Sequence, residues 1–461
     1  MFNLFNDNNK KIHFIGIGGI SMSGLAEILV SYGYIVSGSD REESSLTRKL
    51  QASGVKIYIG QSASNINNQN IVVYTAAIGN DNVELLRARE LGMEVMDRAE
   101  FLGYIMKSFK KTIAISGTHG KTTVTSMVSL MLLNARLDPT IMVGGVLDAI
   151  GGNVKTGKSD FLVAEACEYK GSFLKFFPYI GFILNIDADH LDYYKDINEI
   201  QDTFTKFAKL IPAEGLLIGC SDDSRVVEVL NSIDTGCNKL TYGLHSGDFT
   251  ARNITYDIKG CPTFEVLHHG NLLGTIQMSV TGDHNVLNAL SVIACGSFLK
   301  IDFATIADSL FHFIGTHRRF EFKGVRDEVT VIDDYAHHPT EIVATLKAAR
   351  NYKHKKTYCV FQPHTYTRTL TLFDEFSKAF ANADKLILVD IYAAREKDTG
   401  VINSQMLLDA VLRNGVNAVY ASSFDEAVSY LNEHVEKGDV VITMGAGDVY
   451  KIGETFLAAS R

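Results

Sequence analysis

The sequence has no C-x-x-C pair. Its six cysteines, at 167, 220, 237, 261, 295 and 359, are scattered. That excludes a disulfide framework and a structural zinc, and it fits reduced thiols in a cytoplasm. Positive charge is also in short supply. The formal net charge is −9, so the electrostatic footprint of a nucleic-acid-binding protein is missing. No uninterrupted apolar run approaches ~20 residues, which leaves nothing to span a membrane as a helix. The first residues, MFNLFNDNNKK, hold no sustained apolar core and do not read as a signal peptide. No self-similarity recurs at solenoid periods.

What is present is ordinary globular material, 46% hydrophobic and 21% charged. A chain of 461 residues is too long for one core, and ~150 residues per domain predicts about three domains. The expected division is 1–108, 109–322 and 323–461. Each part reads as α/β: a Rossmann-like N-terminal domain, a central mostly parallel sheet of P-loop NTPase type with a β-rich insertion, and a Rossmann-like C-terminal domain.

The most specific stretch is Thr112 to Val128, TIAISGTHGKTTVTSMV. Ile113, Ala114 and Ile115 form a short apolar run that reads as a buried strand. Gly117, Thr118, His119 and Gly120 break it, and Lys121, Thr122 and Thr123 open a helix carrying Val124, Met127, Val128 and Met131. Strand, glycine loop, Lys-Thr and helix make a phosphate-binding loop. Its glycines turn backbone N–H groups around a polyphosphate, and the helix N-terminus adds positive potential. Lys121 is placed to reach the β- and γ-phosphates of ATP, and the Thr122 hydroxyl to ligate Mg²⁺. The spacing Gly117-x-x-Gly120-Lys121-Thr122 is shorter than the usual G-x-x-x-x-G-K-[ST].

An earlier loop has a related shape. Lys11 to Ile15 is a strand, Gly16, Gly18, Gly19, Ile20 and Ser21 form the loop, and Ser23 to Tyr32 a helix. A second strand ends at Asp40, about where a dinucleotide fold keeps its ribose-binding acid. A later strand, Asn70 to Thr75, leads into a loop at Ala76. Two strands of the central region end on Glu165 and in the run Asp187-Ala188-Asp189-His190. Ligands collect at the carboxyl ends of parallel strands, and oxygen and imidazole donors beside a triphosphate suit Mg²⁺ or Mn²⁺. Residues 239–281 read as the β-rich insertion, with His268-His269 a solvated turn. Asp283 reads as the cap of a helix that carries Asn285 and Asn288, whose amides can read an adenine edge. Arg318 and Arg319 can clamp phosphate. In the last third, the helix Thr340 to Arg350 is capped by Thr340, and helices are expected at 371–381, 404–413 and 424–435. Tyr335, His337-His338, His364 with Arg368, and Arg395 lie on loops at strand ends.

Nine blocks in order carry a resemblance that covers nearly the whole chain. They are GIGGISMSG (16–24), SGTHGKTT (116–123), AEACE (164–168), NIDADHLD (185–192), GDHNVLNA (282–289), HRRFE (317–321), DDYAHHPTE (333–341), FQPHTYTRT (361–369) and MGAGD (444–448). The sequence resembles the Mur ligase family, in which short Gly-Lys-Thr loops are usual. The resemblance implies that the first domain holds UDP rather than NAD, through Gly16, Gly18, Gly19, Ile20, Ser21, Asp40, Thr75 and Ala76. It implies ATP-dependent ligation of L-alanine to UDP-N-acetylmuramate through an acyl phosphate, in the cytoplasm, by a monomer or homodimer. Lys121, the Mg²⁺ (or Mn²⁺) ligands Thr122, Glu165 and His190, and Arg318 or Arg319 would screen anion from anion. Asn285 and Asn288 would flank the adenine. Tyr335, His337, His338 and Arg368 would serve the alanine, with Arg368 on its carboxylate and a neutral imidazole for the amine proton. Some members carry Arg where this chain has Thr365.

Three other readings compete. A muropeptide-recycling ligase adds a tripeptide to the same nucleotide sugar; the 333–341 and 362–364 blocks look more like the alanine-adding type. An NAD-dependent oxidoreductase is disfavoured by Ser21 and by the lack of a hydride-transfer pair. A nucleotide switch would hydrolyse ATP slowly without any amino acid.

Overall fold

A computed structural model describes Leu4, Asn6, 9–394 and 396–459. These residues fall into two compact units, Met1–Ile186 with Ile200–Thr241, and Asp187–Glu199 with Tyr242–Arg461. The fold is three-part α/β, with two parts in the first unit and one, preceded by a β-meander, in the second.

In the first part, β1 (Lys11–Ile15), β2 (Ile35–Asp40), β3 (Lys56–Ile59), β4 (Ile71–Tyr74) and β5 (Glu94–Asp97) form an all-parallel sheet in the order β3-β2-β1-β4-β5. Ile12, Phe14 and Ile15 of β1 are fully buried, as a parallel strand covered on both faces requires. Strand order reverses at β1, so a crevice opens at the carboxyl ends of β1 and β4. The glycine loop lies there, followed by the helix Ile20–Ser31.

The second part holds β6 (Lys111–Ser116), β7 (Thr140–Leu147), β8 (Gly152–Lys155), β9 (Phe161–Glu165), β10 (Ile180–Ile183) and β11 (Leu216–Cys220). Their order is β11-β10-β6-β9-β7-β8, parallel except for β8 against β7. β6 is central, and the helix Lys121–Asn134 leaves its carboxyl end with Val124, Met127, Val128 and Met131 buried. β7 and β8 are not evident in the sequence, because glycine and short polar stretches interrupt any alternation.

In the second unit, β13 (Phe249–Tyr256), β14 (Pro262–His268) and β15 (Asn271–Gln277) make an antiparallel meander where a β-rich insertion is expected. His269 and Gly270 turn its last hairpin with positive φ. β16 (Glu321–Arg326), β17 (Val329–Asp334), β18 (Thr357–Phe361), β19 (Lys385–Leu388), β20 (Ala418–Tyr420) and β21 (Val440–Met444) then form a sheet ordered β16-β17-β21-β18-β19-β20. Only the edge strand β16 runs antiparallel to its neighbour. Successive residues of β17 point to opposite faces. Val331 therefore joins one core with Val360, Val441 and Phe456, and Ile332 the other with Phe361, Phe376 and Ile442.

Three local expectations are corrected. The helix expected over 371–381 is two short ones, Tyr366–Thr371 and Phe373–Lys378, separated at Leu372. The helix Pro339–Asn351 is capped by His338, not Thr340; His338 and Glu341 form a capping box. Gly282, not Asp283, is the cap of Asp283–Phe298. The Asp283 carboxylate instead accepts from the Tyr256 hydroxyl and, at 2.7 Å, from Lys347 Nζ.

Candidate active site

The first glycine loop is folded back on β2. The N–H groups of Gly16 and Ile17 donate to Ser39 O at 2.8 and 3.0 Å, and Gly18 N–H donates to Asp40 Oδ2 at 2.7 Å. Asp40 thus shapes the loop as well as standing at the end of β2. Gly16 has φ +83°, and a Cβ there would lie 2.7 Å from Thr75 Cγ2. Glycine is obligatory on both counts. Gly19 is the N-cap of the helix that begins at Ile20 and Ser21, and it makes no side-chain cap bond. Ala76 follows Thr75 on the exposed side of the same crevice. Asn153 of β8 donates to Ile20 O at 2.9 Å, which ties this loop to the second part of the unit.

The phosphate loop is shaped by its neighbour strand. Gly117 has φ +142°, and a Cβ there would sit 2.8 Å from Leu184 Cβ; Gly120 has φ +84°. Thr118 N–H donates to Asn185 O at 3.1 Å, and the Asn185 side chain accepts from His119 N at 2.7 Å and donates to His119 O at 3.1 Å. Thr122 and Thr123 lie in the first turn of the helix. Lys121 Nζ donates to Gly117 O at 2.5 Å, to Thr118 O at 2.9 Å and to both Glu168 oxygens at 3.2 and 3.0 Å. Burial works against this charge, but Glu168, with Glu165 behind it, holds the ammonium above its ordinary pKa.

Glu165 ends β9 facing the bare glycines of β7. Its Oε1 accepts from Gly144 N at 2.6 Å, and a Cβ on Gly144 would lie 2.6 Å from Oε2. A Cβ on Gly145 would lie 3.4 Å from Thr122 Cγ2. The glycine pair thus leaves room for the carboxylate of Glu165 and the Thr122 side chain on one side of the loop. Two oxygen donors in such a setting fit a hard divalent cation. His190, the third expected ligand, belongs to the second unit, where its backbone has φ +56° and its Nε2 lies 3.8 Å from Asp189 Oδ2.

In the second unit the adenine candidates are both buried. Asn288 Nδ2 donates to Asn285 Oδ1 at 3.0 Å, and Asn285 Nδ2 to Thr281 O at 2.7 Å. The two arginines separate. Arg318 Nε donates to Asp333 at 3.1 Å and Nη2 to Gly445 O and Gly447 O at 2.6 and 3.0 Å, while its guanidinium lies between the rings of Tyr335 and Tyr450. It anchors the MGAGD turn. Arg319 keeps the looser environment, 5.2 Å from the centre of the Tyr335 ring and 3.8 Å from Glu341.

The loop after β17 holds two differently used imidazoles. His338 donates from Nε2 to Ala188 O at 3.1 Å and accepts from Thr340 N at Nδ1 at 3.3 Å. Both nitrogens hold backbone, so the ring braces the loop on which the expected alanine contacts lie. His337 Nδ1 donates to Tyr335 O at 3.0 Å, which leaves the Nε2 lone pair as the basic position. Burial pushes this imidazole down to about 4, against the pull of Glu341. The Tyr335 ring meets it edge-on at 5.4 Å, and His364 lies 5.8 Å away on its other contact. Burial, reinforced by His337 and Arg368, brings His364 to about 4 as well. Arg368 Nη1 donates to His364 Nδ1 at 3.0 Å, and Nε and Nη2 donate to Asp189 Oδ1 at 3.3 and 3.1 Å. Arg395 lies outside the described residues.

Four partners were not picked out from sequence: Glu168 for Lys121, Asn185 for the phosphate loop, Gly144 for Glu165 and Asp189 for Arg368. Three of them fall in or beside blocks that carry the family resemblance, and that was their only signal. All six cysteines are free, and no helix among the described residues is long and apolar enough to cross a membrane.

Comparison with known proteins gives a consistent picture. The profile of the Mur ligase family, catalytic domain, matches residues 11–110, that of the Mur ligase middle domain 115–296, and that of the Mur ligase, glutamate ligase domain 318–447. The chain is similar to a UDP-N-acetylmuramate–L-alanine ligase of Clostridium novyi, 58% identical over 458 residues and 99% of each chain. It is also 58% identical over 457 residues to the protein of that name in Clostridium acetobutylicum, again over 99% of each. Among solved structures it resembles the UDP-N-acetylmuramate-alanine ligase of Thermotoga maritima, with TM-score 0.82, 31% identity and coverage of 98% and 99%. A murein peptide ligase of Psychrobacter arcticus shares the fold at TM-score 0.70 and 24% identity, with 98% of each chain covered.

Proposed function

The chain belongs to the Mur ligase family, and from that premise we propose how its residues divide the work of joining L-alanine to UDP-N-acetylmuramate at the expense of ATP. The full-length likeness to alanine-adding relatives carries this reading, since a neutral imidazole and an arginine alone would accept many amines. The domains are taken as 1–108 for the UDP-sugar, 109–322 for ATP and 323–461 for the amino acid.

The muramoyl carboxylate attacks the γ-phosphorus of ATP, giving an acyl phosphate and ADP. The amine of alanine then attacks the acyl carbon, phosphate leaves, and the amide forms. The first step brings anion to anion, so positive charge must be fixed in place beforehand. Lys121 supplies it, kept protonated by Glu168, with the N–H groups of Gly120 to Thr123 around the phosphates. Thr122 and Glu165 are the first unit's proposed ligands for Mg²⁺ or Mn²⁺, and His190 the second unit's. When bound, the cation offsets charge on the transferred phosphoryl group. Arg319 takes the role first shared with Arg318. Asn285 and Asn288 flank the adenine, and Gly16, Gly18, Gly19, Ile20, Ser21, Asp40, Thr75 and Ala76 hold the UDP moiety. His337, neutral and with Nε2 open as a base, accepts the amine proton, Tyr335 orients it, and Arg368 binds the amino-acid carboxylate.

The test is phosphate release with UDP-N-acetylmuramate, ATP and a panel of amines. Release with L-alanine is expected. Release with the tripeptide in preference to alanine, or at the same rate without any amine, would overturn the reading.

A further inference from the structure

Arginine has five N–H donors, and in this unit four of the five on Arg368 are taken. Nε and one hydrogen of Nη2 go to Asp189 Oδ1 at 3.3 and 3.1 Å, and both hydrogens of Nη1 go to His364, at O (3.2 Å) and Nδ1 (3.0 Å). A carboxylate is best held by two parallel N–H bonds. The single N–H left on Nη2 cannot provide them. Arg368 can therefore serve a substrate carboxylate only by letting a partner go. The His364 bonds are local, four residues away in sequence, whereas Asp189 is 179 residues away. Asp189 also presents the same chemical group as the substrate would.

Asp189 is 9% exposed. The Arg368 guanidinium is the counter-ion of this buried carboxylate, at 3.1 Å. Its Oδ1 accepts from His190 N at 2.7 Å and from Arg368, while Oδ2 faces only the more distant His190 Nε2, at 3.8 Å. One oxygen is saturated and the other is lightly held.

We propose that the Asp189–Arg368 ion pair is an internal stand-in for the zwitterion of alanine: the substrate carboxylate replaces Asp189 on Arg368, and the released Asp189 carboxylate receives the substrate ammonium. The proposal rests on the reading of Arg368 as the carboxylate-binding residue. Its physical logic is charge conservation in a buried place. One ion pair becomes two, and at no stage is a buried charge left without a counter-ion, which is the costly condition. A ligand with only one of the two charges strands the other partner. The pair therefore selects for a free α-amino acid by penalising anything that is only an acid or only an amine.

The experiment compares L-alanine with its two halves, propanoate and alaninamide, as competitors in the phosphate-release assay. For the unmodified protein, each half should compete at least about tenfold worse than alanine, the value of one charged hydrogen-bond partner. Equal competition by either half would overturn the exchange, whatever any variant does. In Asp189→Asn no buried anion is left to strand. Propanoate should then bind about tenfold tighter than to the unmodified protein, while the alanine requirement rises. A residue that merely orients Arg368 would instead weaken propanoate and alanine together, and that result would overturn the proposal. Arg368→Ala separates the two levels. An unchanged alanine requirement removes the underlying site reading; a raised one, with the Asp189→Asn result reversed, removes only the exchange.

Discussion

The phosphate loop of the first unit and the histidine cluster of the second both bury ionisable groups and obtain opposite charge states. Lys121 stays charged because two carboxylates, Glu168 in contact and Glu165 behind, outweigh the cost of leaving water. His337 and His364 stay neutral because burial opposes their charge and is reinforced by Arg368, and at His364 also by His337. Burial alone favours the neutral form in both places; only at Lys121 do the neighbouring carboxylates reverse it. One region is thus prepared to meet an anion and the other to take up a proton.

The comparison can be broken at its strongest point. Lys121→Ala should cut phosphate release at least about a hundredfold, while UDP-N-acetylmuramate binding measured by calorimetry is unchanged. Retained turnover would remove the loop from the mechanism. Glu168→Gln tests whether the carboxylate keeps the ammonium in place. Lys121 and Glu168 side chains are only 16% and 3% exposed, and breaking a buried pair costs about 3–5 kcal/mol. A urea midpoint within error of the parent would show that Glu168 is a bystander. Gly144→Ala is milder. The added methyl group must displace the Glu165 carboxylate, so the Mg²⁺ concentration for half-maximal rate should rise on the order of tenfold, with the alanine requirement unmoved.

The smallest effect concerns pH. His337 and His364 titrate near about 4 in the folded chain, against 6.5 for a free imidazole. Between those values the unfolded chain binds more protons, so their contribution to stability is present above 6.5 and declines as pH falls toward about 4. Asp334, raised by burial to about 6 from 3.8, acts in the opposite direction and stabilises the fold as pH falls through about 6. His337→Gln should flatten the acid-side decline of the urea midpoint, and an unchanged slope would mean that His337 is not held neutral.

The sequence exposed what is local and hid what is assembled. The phosphate loop could be read because strand, glycines, Lys-Thr and helix are contiguous, and the third-part strands because their buried runs alternate with helices. Glu168 could not be paired with Lys121 from spacing alone. It lies 47 residues away, and only the adjacency of β6 and β9 brings the two together. Asp189 reaches Arg368 in the same way, through the tertiary fold. His338 was passed over as a cap because Ser, Thr, Asp and Asn lead at that position, although its Nδ1 accepts as their oxygens do. The exposed edge strand β16, Glu321–Arg326, was missed because alternating charge there resembles a solvated turn.

Asn185 touches residue 119 only through its peptide group, in both directions at once. This contact depends on the amide at 185 and not on the side chain at 119. Loss of that amide nitrogen by spontaneous deamidation would set a carboxylate against the His119 carbonyl oxygen. Asn185→Asp should therefore slacken the phosphate loop while the sheet beneath it stays folded.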